Sequence, residues 1–404
     1  MVLAVITSVA ALTASPATAQ TVRWVNVNES TPVSPGRSCD KAGYTTIGAA
    51  VAAAAAGDTV VVCPGTYTES VQVNKSITLR GFNTTLGKCF KTEGLSPDPT
   101  RDTIVDPPGP LSGIGFNVTA ESVTIQRFVI TDADTGIQTD PSTAGHTLRE
   151  NTLLLNGFGI HLHADGASRT AVTENCFRQN AAAPGGDAIF SNQGVRNVRI
   201  SENEFYKTVH VPPATEAADI VMFGIVEDVR ISRNTSRDSE TFASLTGSHD
   251  STITRNEVNG DGTASAIFVG GDTTDMVVSR NKIEDARRGI RFCAQCTGGA
   301  PATGLTVARN KIEDMVEDGI VANPTSLTSS VIEDNDAKKN GRDGIRIETP
   351  GNANNLIKDN EPEHNTGYDC YDDTTGGGTA GTANIWKKNE GKTSTPPGLC
   401  EDND

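Results

Sequence analysis

The sequence predicts an all-β chain wound into a parallel β-helix solenoid, with a capping helix near its N-terminal end. Two observations carry that prediction. Nine asparagines, Asn151, Asn175, Asn203, Asn234, Asn256, Asn281, Asn310, Asn335 and Asn360, recur at spacings of 24, 28, 31, 22, 25, 29, 25 and 25 residues, a quasi-period of stacked coils. Three residues before each stands an aliphatic side chain (Leu148, Val172, Ile200, Ile231, Ile253, Val278, Val307, Ile332 and Ile357) within two-residue alternation, the signature of a half-buried strand.

A second strand in each coil follows a small residue, as in Gly136-Ile137, Gly159-Ile160, Gly289-Ile290, Gly319-Ile320 and Gly344-Ile345, with Ala188-Ile189 and Ala266-Ile267 as looser copies. Strands this short must pair with the coils above and below, which gives parallel sheets. Asparagine suits the corner because it tolerates left-handed backbone and its amide can bond the same amide one coil away. A leucine-rich solenoid would need several leucines and a helix per repeat, and the array has no 3.6-residue apolar period to support helical repeats. The predicted organisation is a leader over 1–19 and one β-helix domain over 20–404. Within that domain lie an N-terminal cap and first coils (20–81), repeat coils (82–367) and a C-terminal cap and tail (368–404).

The leader is read from the small, apolar run Met1–Ala11 and the small-x-small site Ala17-Thr18-Ala19, although no Lys or Arg precedes Arg23. Polar residues and Pro16 interrupt the run too early for a membrane span. Export to the cell envelope or medium is therefore expected, with no membrane attachment after cleavage, and the eight cysteines suit an oxidising destination. Position along the chain suggests Cys39 with Cys63 and Cys370 with Cys400, and Cys293-x-x-Cys296 reads as a local bridge; Cys89 and Cys176 are left unassigned. A net charge of −16 over 404 residues argues against a nucleic-acid partner. It admits Ca²⁺ as a ligand, and no cofactor is assigned beyond that. A monomer is expected.

The helix is expected in Gly48–Ala56, after Thr45-Thr46 and before the stop Gly57. Tyr44-Thr45-Thr46-Ile47, Ala56-Gly57-Asp58-Thr59-Val60, Pro64-Gly65-Thr66-Tyr67, Glu69 and Ile77-Thr78-Leu79-Arg80-Gly81 resemble the opening of secreted right-handed parallel β-helix proteins of the pectin lyase-like superfamily. The tail Tyr368-Asp369-Cys370-Tyr371-Asp372-Asp373, with Asn384-Ile385-Trp386, is similar to the closing segment of bacterial members. That resemblance implies the right-handed fold. For activity it implies only a range: polysaccharide lyases, hydrolases and epimerases, copper-maturation proteins or adhesins. The hydrolase Gly-His-Gly and the epimerase Asp-Pro-His-Asp are absent, since Asp140-Pro141 is followed by Ser142.

Aligning the second strand on Ile137, Ile160, Ile189, Ile220, Leu245, Ile267, Ile290, Ile320 and Ile345 gives two outward columns. They place Phe190, Phe223 and Phe268 mid-face as a sugar-stacking row, with Pro184–Asp187 and Val209–Ala218 as segments that would instead cover it. Asp140, His161 and His163 at one end are the acid/base candidates. Arg291 and Arg346 toward the other end are the carboxylate binders. The histidine pair has metal-compatible spacing but no third histidine in phase, so no metal site is assigned. A further column immediately before the asparagines runs Glu150, Glu174, Glu202, then Arg233, Arg255, Arg280, Arg309, then Asp334 and Asp359. Like charges one coil apart repel, and lateral pairing of Arg255 with Glu257, Arg280 with Glu284 and Arg309 with Glu313 is expected. The functional expectation is a flank that binds or processes extracellular polysaccharide by a lyase or glycoside hydrolase reaction, against a noncatalytic cell-envelope or adhesive protein.

Overall fold

The computed structural model describes residues 19–91, 96–182, 185–212 and 216–402. The expected leader therefore lies, apart from Ala19, outside the described residues. The chain winds through about 11 turns of a parallel β-solenoid. Each full coil contributes three short strands, one to each of three parallel sheets of fifteen, eleven and thirteen strands.

The aliphatic column occupies the first sheet. Leu148, Val172, Ile200, Ile231, Ile253, Val278, Val307, Ile332, Ile357 and finally Trp386 are register partners, one directly above the next. All are buried in one continuous core, in which Phe177 and Phe205 stack with ring centroids 4.8 Å apart.

The asparagines sit at the corner between the first and second sheets and form an unbroken ladder. Asn256, for example, donates through Nδ2 to Ile231 O at 3.1 Å and to Asn281 Oδ1 at 2.9 Å. Its own Oδ1 accepts from Asn234 N and Asn234 Nδ2, both at 3.0 Å. The ladder runs one rung further than the repeated phrase, to Asn389. A shorter ladder, Asn156 to Asn180, marks the next corner and reappears at Asn340 and Asn365.

The structure corrects which residue turns the corner. Left-handed backbone belongs to the residue before each asparagine, with φ of 55° at Glu150, 57° at Arg233 and 53° at Asp334. These residues carry the strained turn, and the asparagines clamp it. The charged column is thus a column of turn residues, and its pairing also differs from expectation. Glu284 pairs with Lys282 and Glu313 with Lys311, two residues along the same strand, while Arg309 reaches Asp334 of the next coil. Arg233 pairs with Glu202 in the same coil-to-coil sense. Turn residues lean along the solenoid axis, so opposite charges meet where the blocks join.

At the third sheet's leading edge a small residue is required by close approach. A Cβ on Gly289 would lie 2.5 Å from Gly319 O and 2.4 Å from Ile312 Cγ2. Gly289→Ala is expected to destabilise the protein by about 1–3 kcal/mol, read as a lower urea midpoint.

The N-terminal helix spans Ile47–Ala53 and buries Ile47, Ala50 and Val51 against the first coil. Thr46 Oγ1 accepts from Ala49 N at 3.2 Å, and the Glu69 carboxylate accepts from Ile47 N and Gly48 N. It ends before the expected Gly57 because Ala54 is extended and the Lys75 ammonium takes the carbonyls of Val51, Ala52 and Ala54. At the other end Asp372 Oδ2 accepts from Trp386 Nε1 at 2.8 Å, so this acid closes the tail. Cys39–Cys63, Cys293–Cys296 and Cys370–Cys400 are bridged as expected, and Cys89 bonds Cys176.

Candidate functional site

The outward face of the third sheet is where side chains leave the core, and its register fixes what they meet. Ile220 pairs with Ala243, not Leu245, and Ala243 with Ile267. The outward column accordingly reads Gln138, His161, Phe190, Val221, Ser244, Phe268, Arg291, Val321 and Arg346. A slip of two residues preserves which face each side chain points to, so alternation alone could not separate the two registers.

Val221, Ser244, Phe268 and Arg291 form the floor of a cavity of about 600 Å³. One wall comes from the corner between the second and third sheets: Asp187, His210, Glu216 and Glu240, then Arg287 and Arg288. The opposite wall is Cys296 and Thr297, on a short helical turn at Ala294–Thr297. Acids thus gather toward one end of the wall and guanidinium groups toward the other.

Asp187 is 7 % exposed and its Oδ1 accepts from Ala218 N at 2.8 Å. Burial, together with the nearby Asp219 carboxyl, pushes its pKa up to about 7. Asp219 is wholly buried behind it, accepts from Ser236 Oγ, and is itself pushed up to about 7 by desolvation. Glu240, 4 % exposed, accepts from Ala217 N at 2.8 Å and from His210 Nδ1. Holding Nδ1–H on a carboxylate leaves His210 Nε2 as the basic nitrogen. Arg288 pairs with Glu317, and Arg287 with the same carboxylate at 2.8 Å. Arg291 donates through Nε to Asn323 Oδ1 at 2.8 Å and sits beside the Phe268 ring. Burial lowers the pKa of Arg291 and of Arg288, and Glu216 opposes that effect at Arg291.

The buried acids set a pH dependence whose sign follows from linkage. Asp219 holds its proton to about pH 7 in the folded state, whereas an unfolded aspartate releases it near the model value of 3.8. Between those values the folded state binds more protons, so stability falls as pH rises. Asp219→Asn is expected to gain stability relative to the parent as pH increases from about 4 to about 7. Thermal midpoints across that range check it, and a constant difference would refute it.

Of the residues singled out in the sequence, Phe268 and Arg291 line the cavity. Phe190 and Phe223 continue its floor toward the N-terminal end, their rings 5.6 Å apart, and Phe158 packs on Phe190 at 5.0 Å. Phe223 is 42 % exposed and Phe190 half-buried. The covering segments border the cavity through Asp187, His210 and Glu216–Ala218, while Pro184 lies outside the described residues. His161 lies beside Phe158 and Phe190, and its ring is 4.4 Å from that of His163. His163 is buried and desolvation drops its pKa to about 4. Asp140 Oδ1 accepts from Ser142 N and Oγ, closing a turn. Arg346 is held by Asp343 at 2.7 Å and Glu348 at 2.8 Å, over the Tyr371 ring. Asp187, Glu240 and His210 were missed in the sequence. For Asp187 and His210 the signal is coil length, because Asn175 to Asn203 and Asn203 to Asn234, at 28 and 31 residues, are among the longest intervals and hold them, whereas Glu240 lies in the shortest, 22 residues from Asn234 to Asn256.

Residues 196–390 match the profile of the family described as periplasmic copper-binding protein (NosD). No curated protein matches the chain. Among solved structures, the catalytic unit of an α-1,3-glucanase from Streptomyces thermodiastaticus aligns at 14 % identity and a TM-score of 0.54, covering 86 % of this chain and 65 % of that one. The mannuronan C-5 epimerase A-module of Azotobacter vinelandii aligns at 14 % identity and TM-score 0.47, over 86 % and 83 % of the two chains. A mannuronic acid-specific lyase from human gut microbiota aligns at 15 % identity and TM-score 0.46, over 78 % and 77 %. At these identities the glucanase likeness speaks for the fold. The residues present do not fit a copper centre: among the described residues no three His, Cys, Asp or Glu converge on one point, and every cysteine is in a disulfide.

Proposed function

We propose that this right-handed parallel β-helix repeat protein is an exported enzyme that cleaves an acidic polysaccharide in the third-sheet cavity. The observation that carries this reading is the pairing, in one cavity, of a carboxyl kept protonated near neutrality with a histidine oriented by a carboxylate. Asp187 supplies the proton for the leaving glycosidic oxygen, and His210 Nε2 accepts one from water or from the sugar ring. Burial of Asp187 is what keeps that proton available at pH 7.

Arg291 and Arg288 give the substrate its charge preference. Arg291 has no carboxylate within ion-pair distance among the described residues, and it keeps donors for a uronate or other sugar anion. Phe190 and Phe223 offer flat apolar area for neighbouring sugar rings, with the half-buried His161 extending the same strip. The four disulfides and the leader-like N-terminus favour export.

Incubating the protein with a panel of acidic and neutral polysaccharides, with and without Ca²⁺, tests this by the appearance of new reducing ends or unsaturated products. Product is expected from an acidic polymer. Binding without turnover would leave a noncatalytic envelope protein, and no binding to any glycan would refute both readings.

A further inference from the structure

The Cys293–Cys296 disulfide has no part in the proposed reaction, yet it forms part of the cavity wall. Its sequence separation is 3, against 24, 30 and 87 for the other three bridges. Chain-entropy stabilisation grows with loop length, so this bridge stabilises the fold least of the four. The segment is also held without it: Ala294 N donates to Ser326 Oγ, and Gly271 N donates to Thr297 Oγ1, both at 2.9 Å.

Accessibility separates it as well. Cys296 is the one exposed cysteine of the eight and lines the cavity, while Cys293 is fully buried. Cys89 and Cys176 are both buried, and Cys39 and Cys400 are half-buried beside buried partners. Arg291 Nη2 lies 3.4 Å from Cys296 Sγ and 3.8 Å from Cys293 Sγ. A guanidinium beside a sulfur stabilises the thiolate that leaves when a disulfide is attacked.

We propose that Cys293–Cys296 is a thiol-addressable modification site in the cavity wall, whose ligand is a low-molecular-weight thiol. The thiolate of that small molecule attacks the exposed Cys296 Sγ. A mixed disulfide forms on Cys296, the Cys293–Cys296 bond breaks, and its electron pair stays on Cys293 as a thiolate facing Arg291. A second thiol then attacks the mixed disulfide, so that two small thiols become one small disulfide and the protein gains two thiols. In the opened state Arg291 faces a sulfur anion within the cavity, which neutralises charge otherwise offered to a bound anion. The site itself does not depend on the proposed polysaccharide chemistry.

The experiment exposes the native protein to reduced glutathione at neutral pH, quenches with N-ethylmaleimide and locates labelled and glutathionylated cysteines by peptide mass spectrometry. Opening of Cys293–Cys296 is expected at least about ten-fold faster than that of any other bridge, with glutathione found on Cys296. Opening no faster than Cys39–Cys63 or Cys370–Cys400 would overturn the proposal. Arg291→Gln is expected to slow opening by roughly three- to ten-fold and Arg291→Lys to restore it in part. Equal rates in all three proteins would remove Arg291 from the site's chemistry.

Discussion

Asp187→Asn is expected to lower turnover of an acidic polysaccharide by roughly 10²–10⁴-fold, the usual contribution of a positioned general acid. The amide keeps the shape of the carboxyl and can still accept from Ala218 N, so the corner should fold and substrate binding should persist. The loss therefore belongs in kcat, with KM changed little. The pH profile gives a second reading of the same residue. With its pKa pushed up to about 7, Asp187 loses its proton as pH rises through that value, so the parent's activity should fall on the alkaline side. Residual activity in the variant should lack that limb. Steady-state kinetics across pH 5–9 would decide (a range of about four pH units is needed to bracket a single titration), and a variant that cleaves as fast as the parent would end the assignment.

The second large effect lies in the ladder. Asn256→Ala removes a side chain that donates twice and accepts twice within the buried corner. What remains is Ile231 O without this donor and Asn234 N without its acceptor, while Asn281 Oδ1 still accepts from Asn256 N and Asn234 Nδ2 still donates to Ile200 O. Leaving buried polar groups unpaired costs about 1–3 kcal/mol each, partly relieved by relaxation, so a loss of roughly 3–5 kcal/mol is expected. Because coils interact with their neighbours only, the damage should be local before it is global. Hydrogen exchange should show early opening around Asn234, Asn256 and Asn281, with the N-terminal helix still protected. Uniform protection throughout would mean that the ladder contributes little.

Much of the fold was legible because it rests on repetition. Leu148 through Ile357 announced the first sheet, and the asparagines announced its corner. Less legible was the difference between a residue that bends the chain and its neighbour that ties the bend. Glu150 and Asn151 recur together, and spacing cannot say which one has the positive φ. Glutamate and arginine are poor guesses for left-handed backbone, and they are tolerated there because the following asparagine fixes the turn. The third-sheet register failed at one coil for a related reason. Ala243 and Leu245 share a face, and the larger residue looked like the better core, although pairing with Ile220 and Ile267 selects Ala243.

The site was legible on its floor and obscure on its walls. Phe268 and Arg291 follow from strand alternation, since a floor residue is defined by the sheet beneath it. Asp187, His210, Glu216 and Glu240 stand in or beside corner segments without a repeat, so no column points to them. Their position depends on contacts such as Asp187 with Ala218 N and Glu240 with Ala217 N, which join residues far apart in the chain.

Uneven coil length has a consequence for how such a protein can change. The ladder corner between the first and second sheets keeps its phrase from coil to coil, whereas His210 and Glu216 arrive in one enlarged turn and Cys296 and Thr297 in another. Each enlarged turn is therefore a detachable part of its wall. Exchanging one enlarged turn for the short connection of a neighbouring coil would reshape the cavity while every asparagine rung stayed paired. A scaffold of this kind can take on a new polymer by editing one bend at a time, with no renegotiation of its core.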